Sequence, residues 1–170
     1  CDADGVAIMP TNNSWGKVDE NYYYVKDGKL LKGCVEQIDG IYYGFDSYGF
    51  LYVDRDFSIF NSETQKNDYY RAKADGSLYI NEWYIYDLAN QYYYGENGKR
   101  YSGFHTIDGK KYYFSEWGWF YKSTTFTDKD GTLYYFGEDG AATEVEDNSW
   151  AQINEKWYYI KNGKLLKGCV

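Results

Sequence analysis

Hydrophobic positions along this chain come in short aromatic blocks. Tyrosine pairs recur at Tyr23/Tyr24, Tyr42/Tyr43, Tyr69/Tyr70, Tyr92/Tyr93, Tyr112/Tyr113, Tyr134/Tyr135 and Tyr158/Tyr159, about 20 to 27 residues apart. Polar residues fill the intervals. Most pairs are followed within a few residues by a turn signal: Asp27-Gly28, Tyr48-Gly49, Asp75-Gly76, Asn97-Gly98, Asp139-Gly140 or Asn162-Gly163. Asn-Gly and Asp-Gly supply the positive φ angles that two-residue hairpin turns require. A Tyr-rich strand, such a turn and a return strand together predict a β-hairpin. The stretches GFHTIDGKKYYF (103–114), QIDGIYYGFDSYG (37–49) and DKDGTLYYFGEDG (128–140) restate this plan. No stretch shows convincing helical periodicity.

The repetition is explicit at the two ends. NSWGKVDENYYYVKDGKLLKGCV (13–35) and NSWAQINEKWYYIKNGKLLKGCV (148–170) share 15 of 23 positions at an offset of 135. One hairpin alone is marginal in water, so each aromatic face needs a neighbour. The units are therefore expected to stack, giving an all-β hairpin-repeat solenoid of about seven units over 13–170. Residues 1–12 read as a lead-in or partial repeat. The segment DRDFSIFNSETQKND (54–68) breaks the rhythm and is expected to be an irregular insertion, a longer loop.

Composition explains what fills such a stack. The 170 residues include 23 Tyr, 9 Phe and 6 Trp, whereas Leu, Ile and Val are sparse. Rings must then supply the buried area, roughly 150–250 Å² each, together with polar handles that want partners. The net charge of −8 argues against a nucleic-acid partner, because phosphate binding needs clustered Lys and Arg. Stacked rings without a basic groove make a poor single-strand binder. No apolar run approaches the ~18 residues of a membrane helix, and no signal peptide is visible in this stretch. The three cysteines, Cys1, Cys34 and Cys169, are an odd number and no self-contained disulfide framework. Cys34 and Cys169 occupy the same repeat position. Cys1 reads as the end of a preceding repeat, with a lipidated terminus as the alternative.

SWAQINEKWYYIKNGKLLKG (149–168), with Trp150, Trp157, Tyr158, Tyr159 and Gly163, resembles the cell-wall-binding repeat of choline-binding proteins. GFHTIDGKKYYF is more similar to the related repeats of streptococcal glucan-binding domains and clostridial toxin tails. The resemblance covers nearly the whole chain. It implies a β-hairpin solenoid on a secreted or surface-attached Gram-positive protein, holding it to choline-decorated teichoic acid, glucan or host glycans. In choline-binding members, Trp and Tyr of adjacent hairpins form boxes for a quaternary ammonium. The full Trp…Trp-Tyr-Tyr pattern stands only in the last unit. The first unit has Trp15 but Tyr22 at the second Trp position, and Trp83, Trp117 and Trp119 are displaced. The pattern therefore sits closer to the glucan-binding and toxin-tail branch.

The residues themselves lean the same way. Sugars offer C–H faces to flat rings and hydroxyls to planar polar groups. A neutral glycan is indifferent to the −8, whereas an anionic polymer would have to find local lysines such as Lys29/Lys32 or Lys110/Lys111. Trp117 and Trp119 in EWGWF, placed on a strand, would share one face with Gly118 leaving the other bare. Trp83-Tyr84 beside the irregular segment, Tyr112, and the last-unit set Trp150, Trp157 and Tyr159 complete the candidate ligand-facing group with Trp15. Trp15 and Trp150 also read as structural anchors. Most tyrosines are expected to be stacking core.

Catalysis finds no support. His105, Ser102 and Asp108 lie too close on one hairpin for a triad. The carboxylates sit mainly in Asx-Gly turns rather than as a glycosidase pair, and DADG (2–5) and DKDG (128–131) lack the other ligands of calcium loops. The cysteines lack metal spacing. The expectation is a non-catalytic, cofactor-free extracellular module for a polysaccharide or cell-wall glycan. Choline binding is one alternative, and a purely structural stalk or protein-docking spacer another.

Overall fold

The structure, a computed structural model, describes residues 12–87, 90–153 and 155–166. Among these residues every regular element is a strand, and the strands form seven small antiparallel sheets. The first is β1 (Ser14–Val18), β2 (Asn21–Lys26) and β3 (Lys29–Leu30). Hairpins follow from β4 (Cys34–Ile38) and β5 (Ile41–Phe45), β6 (Asp56–Asn61) and β7 (Lys66–Arg71), and β8 (Glu82–Ile85) and β9 (Gln91–Tyr94). Next come β10 (Gly103–Ile107) with β11 (Lys110–Phe114), and the three-stranded β12 (Thr124–Thr127), β13 (Leu133–Phe136) and β14 (Ala142–Val145). The last sheet is β15 (Trp150–Ile153), β16 (Lys156–Lys161) and β17 (Lys164–Leu165). Cys1, Cys169 and the 1–11 part of the lead-in fall outside the described residues. The chain divides into two compact units, residues 1–83 with 94–100, and residues 84–93 with 101–170.

The glycine signals prove to be of two kinds. Asp39-Gly40 and Asp108-Gly109 have both residues at positive φ (50° and 83°, 49° and 76°) and close two-residue hairpins, as does Asn162-Gly163. The second kind follows the aromatic strand and ends in a glycine. Its N–H donates to the carbonyl three residues back: Gly49 to Asp46, Gly76 to Lys73, Gly98 to Gly95, Gly118 to Ser115, Gly140 to Gly137. There only the glycine has positive φ. The pairs at 48–49, 75–76, 97–98 and 139–140 were expected to turn hairpins; they instead end this second kind of turn.

The second turn explains how hairpins stack. The residues after it run back along their own hairpin, through bridges such as Phe45↔Leu51 and Phe114↔Phe120. In the first unit they also reach the hairpin before. Leu51 N–H donates to Tyr22 O at 2.8 Å, Leu78 N–H to Tyr42 O at 2.9 Å and Arg100 N–H to Tyr69 O at 2.8 Å. Rings close the seams. Trp15 meets Tyr43 edge-on at 4.9 Å, and Phe57 stacks between Tyr52 (4.1 Å) and Tyr70 (5.3 Å). In the second unit Tyr113 stacks on Phe126 at 4.3 Å, and Leu133, Tyr135, Val145, Ile153 and Ile160 form a compact cluster.

The 54–68 segment differs from expectation. It forms β6 and the start of β7, paired from Asp56↔Arg71 to Asn61↔Lys66. No Asx-Gly marks its turn. Asn61 Oδ1 accepts the N–H groups of Glu63 and Thr64, and Gln65 takes the positive φ of 55°. A side chain does what glycine does elsewhere.

Burial also sets the chemistry of two core phenols. Loss of solvent pushes the Tyr70 hydroxyl up to about 12. Desolvation raises Tyr94 as well, and the nearby Asp56, which accepts its O–H at 3.2 Å, adds to the effect. A phenol whose folded pKa is raised stabilises the fold fully below its unfolded value and loses that contribution as pH rises through the folded value. Stability is thus expected to fall between pH 10 and about 12 for Tyr70. A titration at 295 nm should show part of the tyrosinate signal lagging and then appearing together with loss of near-ultraviolet dichroism. A single uniform titration without unfolding would contradict this.

Candidate functional site

Five of the six tryptophans are exposed: Trp117 by 67%, Trp150 by 65%, Trp157 by 63%, Trp119 by 48% and Trp15 by 38%. Trp83 is half-buried. Trp117 and Trp119 do not share a strand face, contrary to expectation. They flank Gly118 (φ 81°) in the Ser115–Gly118 turn, because this glycine is one of the series that ends an aromatic strand. The turn is held by Ser115. Its carbonyl accepts Gly118 N–H at 2.8 Å, its Oγ accepts Trp119 N–H at 3.1 Å, and its own N–H donates to Trp119 O. The Trp119 indole N–H donates to Tyr92 Oη at 2.5 Å, which fixes the ring while leaving about half its surface open. Trp117 projects at the tip of the same turn.

The last sheet gathers three candidates on one face. Trp150 pairs with Tyr159 and Gln152 with Trp157, so alternation puts all four on the same side of β15 and β16. Trp150 and Tyr159 rings meet edge-on at 5.5 Å, and Tyr159 Oη donates to Asn148 O at 2.9 Å. In the first copy the equivalent Trp15 lies in a seam, against Tyr24, Tyr43 and Phe45. Trp83 and Tyr84, adjacent on β8, point to opposite faces. Tyr112 is buried; it pairs with His105 on the face that also carries Phe114. His105 stacks on Tyr101 at 3.6 Å, and its Nε2 lies 2.9 Å from Ser102 O. Asp128 Oδ1 accepts the N–H groups of Asp130 and Thr132, so DKDG is occupied as a turn.

Sequence reasoning missed an open cleft of about 600 Å³ in the first unit, lined among others by Asn21, Tyr22, Asp46, Tyr52, Arg55 and Asp75. Tyr22 is 44% exposed. Asp46 Oδ1 accepts three successive backbone N–H groups, from Tyr48, Gly49 and Phe50. Asp75 accepts both the N–H and the hydroxyl of Ser77, which hold its carboxyl below the usual range. The cleft thus joins an exposed ring to carboxylates, an amide and a guanidinium. Three of its charged lining residues, Glu20, Asp46 and Asp75, are acidic against Arg55 alone. A neutral polyhydroxyl ligand suits it; an anionic one does not. A second opening of about 550 Å³ is lined by Gln37, Tyr42, Lys73, Glu82 and Glu96 among others, and there Lys73 already pairs with Glu82 at 2.6 Å. Lys110 is likewise spoken for, by Asp139 at 2.9 Å.

Residues 102–118, 126–142 and 148–163 match the family described as "Putative cell wall binding repeat". The chain is 29% identical over 155 residues to Glucosyltransferase-I of Streptococcus downei, covering 89% of this chain and 8% of that protein. It spans between 8% and 12% of the length of the curated relatives it matches. Among solved structures, CbpJ of Streptococcus pneumoniae superposes with a TM-score of 0.61 at 21% identity, over 91% of this chain and 52% of that one. Choline binding protein F of the same organism gives 0.58 at 23% identity, over 90% and 51%. These two share the hairpin fold. Among the described residues no helix is long and apolar enough to cross a membrane.

Proposed function

We propose that this chain, three segments of which match a cell-wall-binding repeat and which is similar to a streptococcal glucosyltransferase, is a non-catalytic module that attaches a secreted or surface protein to a neutral glucan or host glycan. The exposed tryptophans carry this reading. A stalk that used its rings only for packing would bury them, yet Trp117 and Trp119, well inside the array, stand open to solvent. Apolar rings gathered on one exposed turn, as Trp117 and Trp119 are, mark an interaction surface in a way that rings exposed singly do not. The candidate contacts are Trp117 and Trp119 at their turn, Trp150 and Trp157 on the last sheet, and Tyr22 in the first-unit cleft. Each site is small and shallow, so useful attachment would come from several sites engaging one polymer at once.

Tryptophan fluorescence titrated with soluble dextran, other α- and β-glucans and host-type glycans tests the proposal. A saturable change with a sugar is expected, weakened about tenfold (about 1.4 kcal/mol) in Trp117→Ala/Trp119→Ala, with the thermal midpoint unchanged. In isothermal calorimetry, Tyr22→Ala should lower the number of sites without abolishing binding, since its cleft holds no tryptophan. Silence of folded protein across the sugars would turn the reading toward a spacer. A second reading, choline binding, is favoured by the edge-on contact of exposed Trp150 with half-buried Tyr159. It predicts a response to choline alone.

A further inference from the structure

Phe104 on β10 and Tyr134 on β13 come from neighbouring hairpins of the second unit. Their ring centroids lie 4.8 Å apart and their planes are inclined by 53°. Two ring faces set at such an angle present negative potential toward a common point, and a cation held there gains from both. Lys111 reaches that point. It sits on β11 on the face shared by Phe104 and Tyr113, since Phe104 pairs with Tyr113 and Thr106 with Lys111. Its Nζ lies 4.5 Å from the centroid of Phe104 and 4.5 Å from that of Tyr134.

The polar groups around the ammonium complete the arrangement. Lys111 Nζ donates to Tyr134 Oη at 3.0 Å, and that hydroxyl donates in turn to Glu144 Oε1 at 3.3 Å. The Glu144 carboxylate stands 3.9 Å from Nζ, supplying the opposite charge. Tyr134 is buried and well fixed, whereas the Lys111 side chain keeps 41% of its surface open to water. The corner is therefore a rigid wall with a solvent mouth, and the mouth is filled by a side chain of the chain itself.

We infer that Lys111 is a specificity-determining residue, whose ammonium occupies the cation site between Phe104 and Tyr134 and closes it to quaternary ammonium ligands. Two rings, a phenol oxygen and a carboxylate are what a trimethylammonium group recognises, and the tethered lysine is present at an effective concentration no free ligand matches. Removing the lysine head leaves the rings and Glu144 in place and opens the site. This inference does not depend on the glycan reading, because its ligand, its residues and its readout are different.

Saturation-transfer magnetic resonance on the methyl protons of choline chloride, at constant ionic strength, tests it. Lys111→Ala is expected to bind choline about tenfold more tightly than the parent chain, Lys111→Arg to stay at the parent level, and Phe104→Ala added to Lys111→Ala to cancel the gain. Should Lys111→Ala fail to give native far-ultraviolet dichroism, Lys111→Gln removes the charge while keeping the stem and carries the same expectation. A folded Lys111 variant that binds choline no better than the parent overturns the inference, as does a gain that survives Phe104→Ala. Loss or retention of dextran binding bears only on the glycan reading.

Discussion

Phe114→Ala should cost about 3–5 kcal/mol, the usual range for emptying a phenylalanine site in a core. Phe114 is fully buried and ends β11, paired to Gly103 and bridged to Phe120. Tyr101 and His105 approach its ring edge-on at 6.0 and 6.1 Å. Both are already committed to stacking on each other at 3.6 Å, so neither can swing in to fill the void. For a chain of this size the loss corresponds to a fall of roughly 10 °C in melting temperature. Exposed Trp117→Ala serves as the contrast and should stay within about 0.5 kcal/mol of the parent. A calorimetric scan compares the two directly; a Phe114→Ala melting curve superimposable on the parent would show that the seams carry less than their burial implies.

Gly44→Ala is the second large effect expected, a destabilisation of about 1–3 kcal/mol or more from overpacking. Gly44 lies on β5 opposite Val35, and a Cβ there would stand 2.2 Å from the ring of Phe57 on β6. Phe57 is held between Tyr52 and Tyr70 and cannot give way without unstacking one of them. Gly16 supplies an internal control. A Cβ there meets the Tyr23 ring at an equally short distance, but Tyr23 is partly open, and in the last copy Ala151 already faces Tyr158 at the corresponding pair. Gly16→Ala should therefore be mild. Urea unfolding of the two variants separates a locked ring from a movable one. Equal costs would mean that Phe57 relaxes as freely as Tyr23.

What could be read from the chain was what local rules encode. Tyr pairs marked strands because alternation and turn residues are local, and the copy of 13–35 at 148–170 exposed the repeat directly. Two things escaped. Gly-ended turns and Asx-Gly hairpins look alike in one dimension, although in one kind both residues take positive φ and in the other only the glycine does. Absence of an Asx-Gly pair is what put Trp117 and Trp119 on a strand and hid the hairpin at 54–68, whose turn is closed by Asn61. The cleft escaped for another reason. Tyr22 and Tyr52 are 30 residues apart in the chain, and they meet only because Leu51 N–H donates to Tyr22 O. Lys111 was legible as a basic residue, but its place between two rings depends on the register of the next hairpin.

The backbone bonds from Leu51 to Tyr22, Leu78 to Tyr42 and Arg100 to Tyr69 also constrain how such an array can change its length. Each of these three hairpins is tied to its predecessor by residues that follow its own glycine turn. Excising a hairpin from first strand to last would leave its closing segment behind, carrying donors aimed at an acceptor that has gone. Recombination that respects the fold must cut between one closing segment and the next strand, so that hairpin, glycine turn and return residues travel together. The unit of inheritance is thus longer than the unit of secondary structure. Copy number can drift only in steps of that longer unit, which are the steps at which ligand sites would be gained or lost.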